Sequence, residues 1–191
     1  MTNIAIFASG EGTNAENIIR HFQGHPSIRV ATVIYNRRDA GVRRRAEALG
    51  VPAVYWTKSQ LQDGAATLRL LQDNAIGFIV LAGFLLLVPR YLVEAYPERI
   101  VNIHPALMPR HCGAGMYGMR VHQSVVESGD NKSGITIHLV DEQFDHGRIL
   151  RQETCEVTPD DTPDDVAHKV HKLEYASFPK TIEEYILNNE L

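Results

Sequence analysis

The stretch Ile4-Ala5-Ile6-Phe7-Ala8-Ser9-Gly10-Glu11-Gly12-Thr13-Asn14-Ala15 decides the fold. Its first five residues form an unbroken apolar run, which reads as a strand covered on both faces. Glycines follow, and a helix over about Asn14–Phe22 comes after them. A strand that passes through glycine into a helix opens a βαβ unit, and the chain keeps that rhythm. Ile28–Tyr35, Ala53–Tyr55, Phe78–Ala82 and Ile100–Ile103 read as further strands. Between them lie a helix capped by Asp39 and closed at Gly50, a helix over Gln60–Gln72, and a helical stretch after Pro89. The fold class expected is α/β, with a mainly parallel twisted sheet and helices on both faces.

After His104 the rhythm changes. Residues 104–118 are rich in Pro and Gly and read as a long loop, followed by a helix over Met119–Ser128. Gly134–Val140 and Arg148–Val157 read as two strands added in antiparallel fashion. Thr162-Pro163-Asp164-Asp165 is a strong helix start, with a Thr cap, Pro at the first position and a carboxylate at the third. That helix carries Val166, Val170, Leu173 and Ala176 on one face, and Pro179 kinks it or divides it from a last helix over Lys180–Asn188.

Composition narrows the function classes. The 191 residues carry a net charge of −4, so no overall basic field points to nucleic acid and no polybasic arm to a membrane surface. The longest run free of polar side chains, Ala75–Val88, is too short to span a bilayer. No signal-peptide pattern opens the chain. The two cysteines, Cys112 and Cys155, lie far apart with no C-x-x-C spacing. Neither a disulfide framework nor a cysteine metal site is expected, and the cytoplasm is the expected compartment. No feature specifies an oligomeric state.

Two segments carry chemistry. The loop Ser9–Ala15 offers backbone N–H groups and a helix N-terminus, which suit an anion such as a phosphate. Its spacing also fits the dinucleotide fingerprint G-x-G-x-x-A. The acid that would grip an NAD ribose is missing, because Asn36-Arg37-Arg38 stands at the end of the second strand. Those arginines keep NADP open, and a bare turn is the third reading. Asn102-Ile103-His104-Pro105 ends the fifth strand, at the edge where open α/β sheets bind ligands. Alternation puts Asn102 and His104 on one face. An amide donor beside an imidazole suits a developing oxyanion coupled to proton transfer. A pair that merely caps the sheet is the alternative. In the stretch from His138 to Gly147, Asp141 and Glu142 read as a solvated turn, and Asp145 is the more constrained carboxylate. His168 and His171 read as a helix surface, and His21, His25 and His122 carry no signal.

The segments Ser9–Asn14, Leu81-Ala82-Gly83-Phe84, Asn102–Pro109, and Gly134–His138 through Asp145 and Gly147 resemble, in order and spacing, the glycinamide ribonucleotide formyltransferases. This is the folate-dependent formyl-transferring family of purine biosynthesis, and the resemblance runs from Ile4 to about Ile186. It implies one formyltransferase domain over residues 1–191 with about seven strands, a phosphate-binding half (1–100), and a catalytic and folate-binding half (101–191). It implies formyl transfer from 10-formyltetrahydrofolate, as co-substrate, to the amine of glycinamide ribonucleotide, with no metal. The roles implied are catalysis for Asn102, His104 and Asp145, with Asp145 keeping His104 cationic and His138 supporting the group. Gly12, Thr13, Asn14 and Glu174 would hold phosphate and ribose. Leu85, Leu86, Leu87, Val88 and Asn102 would hold the folate. The glycine-rich loop 110–118 departs from the shorter loop of many members, Leu86 replaces a residue often basic there, and residues 57–64 match poorly. Formyltransferases acting on tRNA or sugar nucleotides are longer. A non-catalytic nucleotide-binding module would have no need of Asn102, His104 and Asp145 together.

Overall fold

The computed structural model describes all 191 residues, with β1 (Thr2–Ala8) inside a single seven-stranded sheet. β1 pairs in parallel with β2 (Ile28–Tyr35) and β4 (Ile76–Leu81). β3 (Ala53–Tyr55) forms the edge beside β2, and β5 (Ile100–His104) extends the parallel run beside β4. β6 (Lys132–Leu139) and β7 (Ile149–Glu156) add antiparallel, giving the order β3-β2-β1-β4-β5-β6-β7. The helices are α1 (Thr13–Phe22), α2 (Val42–Ala48), α3 (Lys58–Gln62), α4 (Gly64–Asp73), α5 (Arg90–Ala95), α6 (Met119–Glu127) and α7 (Pro163–Asn188). The expected mainly parallel α/β fold is the one observed.

Strand alternation explains the unbroken apolar runs. Ile4, Ile6 and Ala8 of β1 enter the larger core with α1, α2 and α7, while Ala5 and Phe7 enter the core under α4 and α5. Both faces of the strand exclude water, so neither accepts a polar side chain.

Local departures from the sequence reading have local causes. Asp39 does not cap α2; it pairs with Arg37 at 3.1 Å, and the cap position is Gly41 with no side-chain bond. Gly50 closes α2 as expected, at φ +74°, with its N–H on Glu47 O and the Val51 N–H on Ala46 O, both at 3.0 Å. The helix expected over Gln60–Gln72 is two, because Asp63 ends α3 and caps α4 by accepting from the Ala66 N–H at 3.0 Å. Thr162 and Asp165 form the expected capping box of α7. Pro179 lies inside α7 and does not divide it. The buried face of α7 runs through Val166, Val170, Glu174, Ser177 and Phe178, so Ala176 is exposed and a glutamate occupies the inward step after Val170.

β1 and β4 are adjacent, yet the chain leaves β1 toward β2 and leaves β4 toward β5. Their following loops part and open a crevice at the C-terminal edge. Ser9 ties its walls together. Its N–H donates to Gly83 O at 2.9 Å, its hydroxyl donates to Asn36 Oδ1 at 2.7 Å, and that hydroxyl accepts from the Leu85 N–H at 2.9 Å.

The register of β6 against β7 depends on Gly134, where a Cβ would lie 1.9 Å from the Glu153 carbonyl oxygen. Gly134→Ala should cost about 2–4 kcal/mol and lower Tm by roughly 5–10 °C. Gly10→Ala, with open space around its Cβ site, serves as the control in the same circular-dichroism melts. Equal melting temperatures for the two variants would contradict this account of the pairing.

Candidate active site

The crevice deepens into a cavity of about 450 Å³. Every site residue expected from the sequence lines it: Gly12, Thr13 and Asn14 from α1 and its entry, Leu85–Val88 after β4, Asn102 and His104 on β5, His138 on β6, Asp145 beyond it, and Glu174 on α7. Residues from both halves of the chain meet here, because one sheet runs through both.

Asp145 is the hub of the polar floor. Its Oδ2 accepts from the Gly113 N–H at 3.0 Å and lies 3.4 Å from His104 Nδ1. Its Oδ1 accepts from Asn102 Nδ2 at 3.4 Å and lies 3.6 Å from His138 Nε2. Burial pushes the Asp145 carboxyl up, but the two imidazoles and the Gly113 N–H outweigh it and hold the group below the usual carboxylate range. Gly147 makes the turn possible, since a Cβ there would lie 1.8 Å from the Leu139 carbonyl oxygen.

Fixed partners set the imidazole tautomers. His104 Nε2 faces the His111 carbonyl oxygen at 2.8 Å, so it carries hydrogen and donates. Nδ1, the position where the ring exchanges its proton, then faces Asp145. His138 Nδ1 donates to Leu139 O at 2.8 Å, and its Nε2 accepts from Asn102 Nδ2 at 3.1 Å. Asp145 pulls His104 toward the cationic form, as expected, but burial opposes it. His104 is 3% exposed, and burial pushes its pKa below the ordinary histidine value despite the opposing pull of Asp145 and the His111 carbonyl.

At the other end, the first-turn N–H groups of α1 open on the cavity, without intrahelical partners. Gly12 has φ +77°, and a Cβ there would meet the Val42 side chain at 2.4 Å, so helix packing alone demands glycine at this position. Asn14 Nδ2 donates to Glu174 Oε2 at 3.0 Å, and Asn14 Oδ1 is buried without a partner. Glu174 is buried rather than an exposed helix residue, and its Oε2 also accepts from His171 Nδ1 at 2.7 Å. Leu85 and Leu87 stay exposed on the opposite, apolar wall, with Val88 buried beneath them. Arg37 and Arg38 do not line the cavity; Arg37 pairs with Asp39 and Arg38 lies over the Tyr55 ring. No group of three or more His, Cys, Asp or Glu is arranged to hold a metal ion.

Sequence reading missed three histidines here. His111 reaches the centre through its carbonyl, for which a sequence carries no signal. His171 lines the cavity, and its i, i+3 spacing to Glu174 was the available sign. His122 lines the cavity with its Nδ1 buried and unbonded, at a helix position flanked by buried Val121 and Val125. Burial, aided by His171, lowers its pKa to about 4. The folded state therefore takes up this proton at lower pH than the unfolded chain, and stability falls as pH drops from about 6.5 toward 4, by about 3 kcal/mol in total. Urea midpoints of the wild type and His122→Gln between pH 7 and 4 should show a smaller acid loss in the variant. Parallel curves would mean that His122 does not titrate this way.

The formyl transferase family pattern matches residues 2–182. The chain is 40% identical to the chloroplastic phosphoribosylglycinamide formyltransferase of Arabidopsis thaliana over 89% of its own length and 62% of that protein's, so it spans about three fifths of this plant relative. It is 32% identical to the Bacillus subtilis phosphoribosylglycinamide formyltransferase over 99% of this chain and 97% of the relative. The crystal structure of phosphoribosylglycinamide formyltransferase from Bacillus halodurans superposes with a TM-score of 0.86 at 33% identity, covering 97% of this chain and 95% of that one. Sequence and architecture agree over nearly the whole chain, which belongs to the formyl transferase family, with the phosphoribosylglycinamide formyltransferases.

Proposed function

We propose that the protein transfers the formyl group of 10-formyltetrahydrofolate to the amine of glycinamide ribonucleotide, giving formylglycinamide ribonucleotide and tetrahydrofolate in de novo purine biosynthesis. One observation carries this reading. Asn102, His104 and Asp145 meet in the same cavity as a helix N-terminus with a buried glutamate and an apolar wall. A phosphate on the N–H groups of Gly12, Thr13 and Asn14 and ribose hydroxyls on Glu174 would direct the amine toward the floor. Leu85–Val88, with Asn102, would hold the pteridine by apolar contact and backbone bonds. In this division, residues 1–100 supply most of the phosphate end and residues 101–191 the reacting floor. The arginines that would favour NADP are engaged elsewhere.

The amine attacks the formyl carbon, and the C=O electron pair moves to oxygen. Asn102 donates to that oxyanion. Both hydrogens of its amide are engaged, at 3.1 Å and 3.4 Å, so this donation displaces the longer contact, to Asp145. The new negative charge offsets the burial that disfavours a charged His104 and favours the imidazolium. The attacking nitrogen loses a proton to the Asp145–His104 pair, directly or through a water. The folate nitrogen gains a proton as its bond to carbon breaks, so the count closes. His138 supports the group by accepting from Asn102. No step calls for a metal, and the partners are two small molecules, with no role for nucleic acid or a membrane. No helix is long and apolar enough to cross a membrane. The cysteines are unpaired, and we place the protein in the cytoplasm.

Incubation with both substrates in excess chelator should release tetrahydrofolate; strict dependence on added zinc or magnesium would overturn the mechanism. Asn102→Ala, His104→Ala and Asp145→Asn should each lower kcat on the order of a hundred- to a thousand-fold, non-additively. Near-normal turnover in Asp145→Asn would move the role to Asp141, which does not line the cavity.

Asn14→Ala should raise KM for the ribonucleotide roughly tenfold by freeing Glu174, with kcat and the folate KM nearly unchanged. The loss should persist with a substrate lacking the phosphate, because Asn14 acts through Glu174. If it vanished there, the Asn14 side chain would be contacting the phosphate itself.

A further inference from the structure

The loop between β5 and α6 contains one histidine, His111, that the mechanism does not use. His111 has φ +52°, a left-handed backbone that residues with a Cβ adopt at a cost. Its side chain is pegged at both ends. Nε2 donates to Asp130 Oδ2 at 2.7 Å, and Nδ1 accepts from the Ser124 hydroxyl of α6 at 2.8 Å. Asp130 also accepts from Arg110 at 2.7 Å. The ring is largely buried, with 10% of its side chain exposed. Its backbone faces the opposite way, where the carbonyl oxygen accepts the His104 Nε2–H. Two residues on, the Gly113 N–H holds Asp145. A span of three residues therefore grips both partners of the reacting pair.

We propose that His111 is a positioning residue: its imidazole, pinned between Ser124 and Asp130, holds the carbonyl that fixes the His104 ring and confines its exchangeable proton to Nδ1, beside Asp145. An unpinned loop would let the carbonyl swing away. His104 Nε2 would lose its acceptor, and the ring could flip or take the other tautomer. A carbonyl acceptor favours the charged ring, so its loss moves His104 further toward the neutral form. The ionisable groups around His104 are Asp145 and His138 from the β6 side, His111 on the loop and His122 on α6. Only His111 reaches Nε2. The kinetic part of this proposal rests on the proposed role of His104, whereas the tautomer does not.

Long-range 1H–15N spectra of the unmodified protein should show neutral His104 protonated on Nε2; the Nδ1–H tautomer would overturn the proposal whatever the enzyme's activity. His111→Phe removes both pegs at similar volume, and Asp130→Ala removes one without touching His111. Each should lower kcat roughly ten- to a hundredfold and shift the His104 inflection in the pH profile to lower pH. His111→Gln, which keeps a donor to Asp130, should recover part of both. In the His104→Ala background, His111→Phe should change kcat no further. An unchanged His104 tautomer and pH profile in folded His111→Phe and Asp130→Ala, or a full additional loss in His104→Ala, would show that His111 serves only the loop.

Discussion

The Asp145 carboxylate lies largely out of solvent at the meeting point of four separate pieces of chain, and the site is organised by the need to satisfy it. A buried carboxylate without partners is destabilising by several kcal/mol. Here the Gly113 N–H and the Asn102 amide donate to it, and His104 Nδ1 and His138 Nε2 lie 3.4 and 3.6 Å away. These groups come from three elements: the loop after β5, the end of β5, and the end of β6. The same interactions that make the charge tolerable bring together an amide, an imidazole and a base. Stability and chemistry thus make the same demand on these residues, and the strained turn at Asp145, φ +49°, is held because its side chain is held.

Burial and charge compete differently at each histidine around the cavity. His104 has a carboxylate beside it, yet its burial is deep enough to depress its pKa. His122 lacks a bonded partner and is depressed further, to about 4. His171, half exposed and bonded to Glu174, is raised. Three identical side chains lining one cavity therefore differ in pKa through solvent access and the partner on one nitrogen. A charge that develops at the floor during reaction can change the balance at His104, because that balance is between opposing effects.

The seven-stranded order places this chemistry where it is. The switch between β1 and β4 opens the crevice, the antiparallel β6 brings His138 beside Asn102, and α7 returns across the sheet to lay Glu174 against Asn14. Glu174 occupies a position in the inward-facing row of α7 that periodicity alone would give to an apolar residue. It is tolerated because the row faces the cavity at that point, with Asn14 and His171 to bond it.

Much of this was legible in the residues. Unbroken apolar runs fixed which strands are covered on both faces, since no polar side chain can be buried there without a partner. Gly50 and the Thr162–Asp165 box marked helix ends because their conformations and bonds are local. Strand alternation and a constrained turn brought Asn102, His104 and Asp145 forward, and the family resemblance added their roles and Glu174. Asp39 was misjudged because a short acidic residue can cap a helix or pair with a nearby arginine, and the winner depends on a geometry of a few ångströms. Only the tertiary structure decided the burial of His104, the engagement of Asn14 with Glu174, and the place of His111. The reason is physical: burial depth, the acceptor at one ring nitrogen and the direction of a backbone carbonyl are properties of residues distant in sequence, and no local pattern encodes them.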